Sequence, residues 1–340
     1  MQTLPRTPLF LPCSGSGRRL GLGGAPLGNL FASVAETDAR ALLDAAWADG
    51  CRSFDTAPHY GHGLSEHRFG DALRPHPRTA YVLSSKVGRL LTPRADVPRE
   101  QHAYVDGLPF AQHWDYSAAG VRRSVEDSLQ RLGLARLDVA FVHDCDTLTH
   151  GADAGRALRQ VCDEALPELQ ALKREGLLGA VGLGVNDVQV VLDVLRHADI
   201  DALLLAGRYS LLDQAALPAL WPECLRRGIH VALGGVFNSG LLATGTRGGA
   251  AARFDYAPAT APWLERAARI EAACDAHRVP MRAAALQFPL AHPAVQIVLA
   301  GARSVAEWRD TLAMLQHPIP AAFWHDLRSS GLIPPEAPTP

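Results

Sequence analysis

Short apolar runs alternate with amphipathic stretches along nearly the whole chain. LGLGGAPLG (20–28) reads as a brief strand running into a loop. TDARALLDAAWADG (37–50) carries apolar residues at helical spacing and stops on glycine. CRSFDTA, YVLSSKV and LDVAFVHD follow as strands two to four. The last is almost continuously apolar, as parallel strands buried on both faces tend to be. GAVGLGV, ALLLAG, HVALGG and QIVLAG complete a series of eight. The intervening helices include SAAGVRRSVEDSLQRLG, with Ser117 as its expected cap, and the helix after HYGHGL, for which Ser65 is the expected cap. NDVQVVLDVLRHA, QAALPALWPECLRRG, a pair over about 263–277 and 281–291, and SVAEWRDTLAMLQ supply others. Eight β-then-α units with no composition break predict an α/β fold, a parallel eight-stranded (β/α)8 TIM barrel with long loops at its C-terminal face.

Two segments lack periodicity. Residues 88–115 hold prolines together with Tyr104, Phe110 and Trp114 and are expected to form a substrate-covering loop. Residues 237–262, after strand seven, form a second long loop. A leader (1–19) and a proline-rich tail (329–340) are expected at the periphery of a single domain spanning 1–340. Gly15, Gly17 and Gly21 approach a dinucleotide fingerprint, but the spacing is one residue too long and the glycines precede a strand when they should follow one. That reading is rejected.

Composition narrows the partners. A hydrophobic content of 48% with 20% charge is that of an ordinary globular enzyme. A net charge of −2 gives no pull toward nucleic acid or an anionic membrane. No run approaches the roughly 18 apolar residues of a spanning helix, and prolines interrupt the N-terminal stretch where a signal peptide needs its apolar core. The expectation is a cytoplasmic protein, monomer or weak homodimer, with a small-molecule partner. Six cysteines (Cys13, Cys51, Cys145, Cys162, Cys224, Cys274) show no CxxC pair and read as buried small hydrophobes, and no metal site is expected.

Polar residues at strand ends carry the chemistry. FDTAPHYG holds Asp55 and Tyr60, SSK holds Lys86, and FVHD holds His143. A phenol, with an ordinary pKa of about 10, is a poor proton donor at neutral pH. An ammonium beside it is expected to lower that value, and a carboxylate keeps the lysine charged and aimed. An imidazole nearby orients a carbonyl or hydroxyl. Singly, each residue reads as structural. At matching ends of adjacent strands they read as acid–base machinery for carbonyl or alcohol chemistry.

This pattern resembles the aldo-keto reductase family over about residues 20–315. GGAPLGNLF, YGHGLSEHRFGDAL, AGRYSLLDQ and GGVFNSGLL are most similar to its aldose 1-dehydrogenases, which act on L-fucose, L-galactose, D-threo-aldoses and related sugars. The resemblance implies oxidation of an aldose at C1 to the lactone by hydride transfer. Tyr60 is the implied general acid/base, set by Lys86 and Asp55, and His143 orients the reacting oxygen. Asn186 resembles the residue that holds the nicotinamide carboxamide, and Tyr209 the aromatic on which the ring stacks. Gly24, with Gly23, is read as close backbone approach to a ligand. Gly301, Arg303 and Ser304 mark a phosphate-binding helix start. His59 and Trp114 are expected at the substrate. Val185 and Ala206 depart from the serine and glutamine common in the family. NADPH-using relatives often place an arginine where Glu307 stands, so NAD is the expected cofactor, with Arg303 keeping NADP open. The rivals are an NADPH-dependent aldehyde or ketone reductase, a pyridoxal 4-dehydrogenase, a non-catalytic cofactor-binding subunit and a metal-dependent barrel hydrolase.

Overall fold

Each apolar run read as a strand forms one. The computed structural model describes residues 9–16, 18–247 and 252–340, so Gly17 of the rejected fingerprint and part of the second long loop lie outside the described residues. Parallel strands β1 (Leu20–Gly23), β2 (Ser53–Asp55), β3 (Val82–Val87), β4 (Leu137–His143), β5 (Leu178–Val185), β6 (Ala202–Ala206), β7 (His230–Gly234) and β8 (Val295–Gly301) close into a barrel. Closure is made by β1, which pairs with both β2 and β8. The expected TIM barrel is the observed fold.

Strand pleating puts every second side chain inside. On β4 these are Val139, Phe141 and His143; on β3, Val82, Ser84 and Lys86. Val82, Val139, Phe141, Leu204, Ile297 and Leu299 belong to one buried cluster that fills the barrel, and Phe10, 2% exposed, joins it from the leader. Ser53 Oγ ties that leader down by donating to Leu11 O and accepting from Leu11 N, each at 2.9 Å. On β4 the interior therefore runs from apolar Phe141 to ionisable His143 in a single step, and on β2 and β3 too the ionisable residue, Asp55 or Lys86, lies at the C-terminal end.

Helices cover the outside with their apolar stripes. In Ala118–Leu132, Ser117 caps as expected, accepting from Gly120 N at 3.0 Å, and Gly133 ends the helix at φ 62°. Val121, Val125 and Leu132 face the core, each contributing about 1.5–3 kcal/mol by burial. Ser65 does not cap its helix. Leu64–Leu73 begins after Gly63, and the Ser65 hydroxyl instead accepts from Thr56 Oγ1 at 2.8 Å and donates to Gly24 O at 2.9 Å.

The 88–115 segment is structured. Arg89–Pro93 and Phe110–Trp114 form an antiparallel hairpin with Arg89 opposite Trp114, and Glu100–Gln101 pairs with Tyr104–Val105 at its tip. The C-terminal tail docks: Leu332, Ile333 and Ala337 are buried, and Arg328 Nη2 donates to Ala337 O at 3.0 Å. The cysteines other than half-buried Cys162 are buried. Among the described residues, no helix is long and apolar enough to cross a membrane.

Candidate active site

β2, β3 and β4 lie side by side, with Ser84 opposite Asp55 and Lys86 opposite Phe141. Their last inward residues therefore converge. Lys86 Nζ donates to Asp55 Oδ2 at 2.7 Å and to Thr56 O at 2.9 Å. Ser84 Oγ donates to Asp55 Oδ1 at 2.7 Å, so both carboxylate oxygens are held. A Cβ at Gly184 would stand 3.5 Å from Lys86 Cε and 3.2 Å from Phe141 Cβ, so the bare glycine leaves room for the lysine stem.

Tyr60 sits in the turn after β2, and its placement depends on two glycines. A Cβ at Gly28 would stand 2.4 Å from Tyr60 C, and one at Gly61 would stand 2.5 Å from Gly28 O. The β1 loop can therefore press directly on the tyrosine's peptide. Lys86 Nζ lies 4.5 Å from the Tyr60 ring centroid, and the His143 ring stands edge-on at 6.2 Å. The four expected residues are together.

Their electrostatics differ from the sequence expectation in one respect. Burial drives the Tyr60 pKa well above 10, with Asp55, Tyr256 and Asp144 adding to the rise, and Arg89 is the cation that opposes it. Lys86 does not dominate because its charge is already matched by Asp55 at contact distance. The phenol is therefore held protonated at neutral pH. Burial, Arg89, Lys86 and His59 push the His143 pKa well below 6.5, leaving a neutral imidazole. Its Nδ1 is buried with no partner among the described residues, and its Nε2 lies 3.4 Å from Asp144 Oδ2.

The hairpin after β3 walls the site. His59 Nδ1 lies 2.9 Å from Gln112 Oε1, and its ring is 5.8 Å from that of His143. The Arg89 guanidinium stacks 3.8 Å from the Trp114 ring centroid and donates to Asp144 Oδ2 at 2.7 Å. His59 and Trp114, read from the sequence as substrate contacts, thus both lie in this wall. Arg89, Gln112, Asp144 and Tyr256 were missed by sequence reasoning. Asp144 and Arg89 had a signal, as charged residues one and three positions past the strand-end His143 and Lys86. The neighbouring His62 is buried with neither ring nitrogen partnered among the described residues, its pKa lowered to about 4 by burial.

The cofactor residues fall into two groups. Asn186 follows β5 directly, with the half-exposed Tyr256 beside its side chain. Arg208 holds this second loop through Asp255, at 2.9 and 2.7 Å. At the end of β8, Gly301 packs on Pro26, and Ser304 caps Val305–Met314 by accepting from Glu307 N at 3.2 Å. Arg303 N and Nη2 both donate to the Glu307 carboxylate, at 2.8 and 2.9 Å. First-turn N–H groups beside a guanidinium suit a phosphate, and the Asn186 amide suits a carboxamide, so these residues fit a nicotinamide dinucleotide.

Two expectations are corrected. Tyr209 is 1% exposed, enclosed by Phe288 (5.3 Å, stacked), Trp221 and His292, and offers no open ring face for stacking. Gly24 is close-packed against protein, since a Cβ there would meet Phe69 Cε2 and Ser65 Oγ at 2.6 Å.

Residues 19–331 match the model of the aldo/keto reductase family. The chain is 45% identical to pyridoxal 4-dehydrogenase of Microbacterium luteolum, covering 92% of this chain and 94% of that protein. It is 37% identical to D-threo-aldose 1-dehydrogenase of a Pseudomonas species, covering 93% and 94%. An aldo-keto reductase from Bacillus halodurans in its holo form superposes with a TM-score of 0.69 at 24% identity, covering 94% of each chain, and shares the fold.

Proposed function

The chain belongs to the aldo/keto reductase family, and we propose from that premise that it is an NAD-dependent dehydrogenase that oxidises a cyclic hemiacetal to its lactone. The first substrate class is an aldose in its pyranose form, oxidised at C1. The observation that carries this reading is the Lys86–Asp55 pair at 2.7 Å, closed off from solvent beside Tyr60.

The nicotinamide, when bound, supplies the hydride acceptor. Tyr60 Oη takes the proton of the anomeric hydroxyl. Lys86 stabilises the phenolate charge that this role requires, and Asp55 and Ser84 fix the ammonium's position. His143, neutral, presents Nε2 3.4 Å from Asp144 Oδ2, and in this reading an Nε2–H turned to the substrate orients the reacting oxygen. The hairpin over 89–114 shields the site from water. Run in reverse, the same residues deliver a proton to a carbonyl, for which the protonated Tyr60 is ready.

The second reading, favoured by the 45% identity to pyridoxal 4-dehydrogenase, takes pyridoxal as substrate. Its aldehyde closes onto the neighbouring hydroxymethyl group as a cyclic hemiacetal, so identical chemistry gives a lactone. The test is a panel of aldoses and pyridoxal with NAD, followed by the absorbance of the reduced cofactor and by identification of the product. The reading requires a lactone formed in step with NADH. Exclusive activity as an NADPH-dependent reductase of open-chain aldehydes would overturn it.

A further inference from the structure

The mechanism leaves one ion pair in the site wall unused. Arg89 and Asp144 are joined at 2.7 Å, with side chains 12% and 18% exposed. A pair buried to that degree roughly breaks even against desolvation and is a weak device for stability. Asp144 also holds a strained backbone, φ 44°, in a non-glycine residue, its N–H donating to Gly184 O at 3.0 Å. Such strain concentrates where a side chain must be aimed. Arg89 is supported rather than saturated. Trp114 backs its plane, Gln112 Oε1 lies at 3.4 Å, and its Nε is buried without a partner among the described residues.

The position of the pair is what gives it a role. Asp144 Oδ2 lies 3.4 Å from His143 Nε2, the nitrogen that orients the reacting oxygen. A hydroxyl on the adjoining substrate carbon sits at hydrogen-bonding distance from that oxygen, and so arrives at the carboxylate and guanidinium together. A hydroxyl is both donor and acceptor, and the pair offers one acceptor and one donor side by side.

Resting on the hemiacetal reading above, we propose that the Arg89–Asp144 pair is the specificity element of the site, reading a hydroxyl close to the carbon that is oxidised. In an aldose this is the C2 hydroxyl, on the adjacent carbon; in pyridoxal the adjacent ring carbon bears no oxygen, and the ring hydroxyl stands one carbon further along. Both classes thus carry a hydroxyl near the reacting oxygen, at different separations, and one wall can meet either.

The test compares matched pairs: an aldose with its 2-deoxy analogue, and pyridoxal with the analogue lacking the ring hydroxyl. kcat/KM with NAD is measured for wild type, Asp144→Asn and Arg89→Lys. Asparagine tolerates the left-handed backbone at 144, and lysine keeps the charge at 89 while losing its fork. Wild type is expected to prefer the hydroxylated member by about 10²-fold, because the analogue forgoes hydrogen bonds to two charged groups. Each variant is expected to narrow that ratio at least about tenfold. Which matched pair is turned over identifies the substrate class. A wild type that does not discriminate, or variants that slow both members alike and leave the ratio intact, overturns the assignment. Absence of turnover with every hemiacetal overturns the dehydrogenase reading itself, and with it the pair's role.

Discussion

Lys86 Nζ stands 2.7 Å from Asp55 Oδ2, and the two side chains are 2% and 4% exposed. Lys86→Met therefore strands a buried carboxylate, a loss of about 3–5 kcal/mol for one half of such a pair. The melting temperature should fall and turnover should collapse. The double variant Asp55→Asn/Lys86→Met removes both charges and should regain much of the stability without regaining turnover. Thermal unfolding and kcat measured on the same samples check this. Recovery of activity together with stability would mean that the lysine serves folding only.

The pH profile follows from the raised pKa of Tyr60. Oxidation needs the phenolate, and below the pKa its fraction rises tenfold per pH unit. Log kcat/KM for oxidation should therefore climb with a slope near one across roughly pH 6–9, while reduction holds steady or declines. His143 is already neutral over this range, so it should add no break near 6.5. Initial rates in both directions test the sign. A flat oxidation profile would show that some other group accepts the proton.

The strands were legible because a parallel barrel buries both faces of each one, leaving continuous apolar runs such as the one ending at His143. The tetrad was legible because Asp55, Lys86 and His143 interrupt those runs at the same end. The hairpin from Arg89 to Trp114 was not, since neither strand has a fully buried face and no alternation results. Tyr209 resembled a stacking residue by motif alone, whereas its burial is decided by Phe288, more than seventy residues away. Lys86 was expected to depress the Tyr60 pKa, but sequence cannot show how far a carboxylate at 2.7 Å cancels a charge. Tyr256 reaches Asn186 only through a left-handed turn at 255–256 that no local pattern announces.

Arg303 and Glu307, the residues proposed to set cofactor choice, bind one another through the guanidinium and a backbone N–H. In this pairing the arginine's charge is matched, and a 2′-phosphate would have to compete with the carboxylate for it. NAD should be preferred over NADP in kcat/KM. Glu307→Arg removes the competitor and adds a second cation, and should shift the NADP/NAD ratio about 10–100-fold toward NADP, mainly through KM. The same change deletes the hydrogen bond that the Glu307 carboxylate accepts from Arg303 N at the helix start, so a small loss of melting temperature should accompany it. A wild type that prefers NADP, or an unchanged ratio in the variant, would place the ribose away from Glu307.

The most direct test of proton transfer at Tyr60 is kcat for hemiacetal oxidation in Tyr60→Phe. The substitution keeps the ring beside Lys86 and the peptide against Gly28 and removes only the hydroxyl. General acid–base transfer contributes about 10²–10⁴-fold, so kcat should fall by that factor or more, with NAD affinity unchanged by fluorescence titration. A Tyr60→Phe enzyme that turns over at close to the wild-type rate would contradict the account.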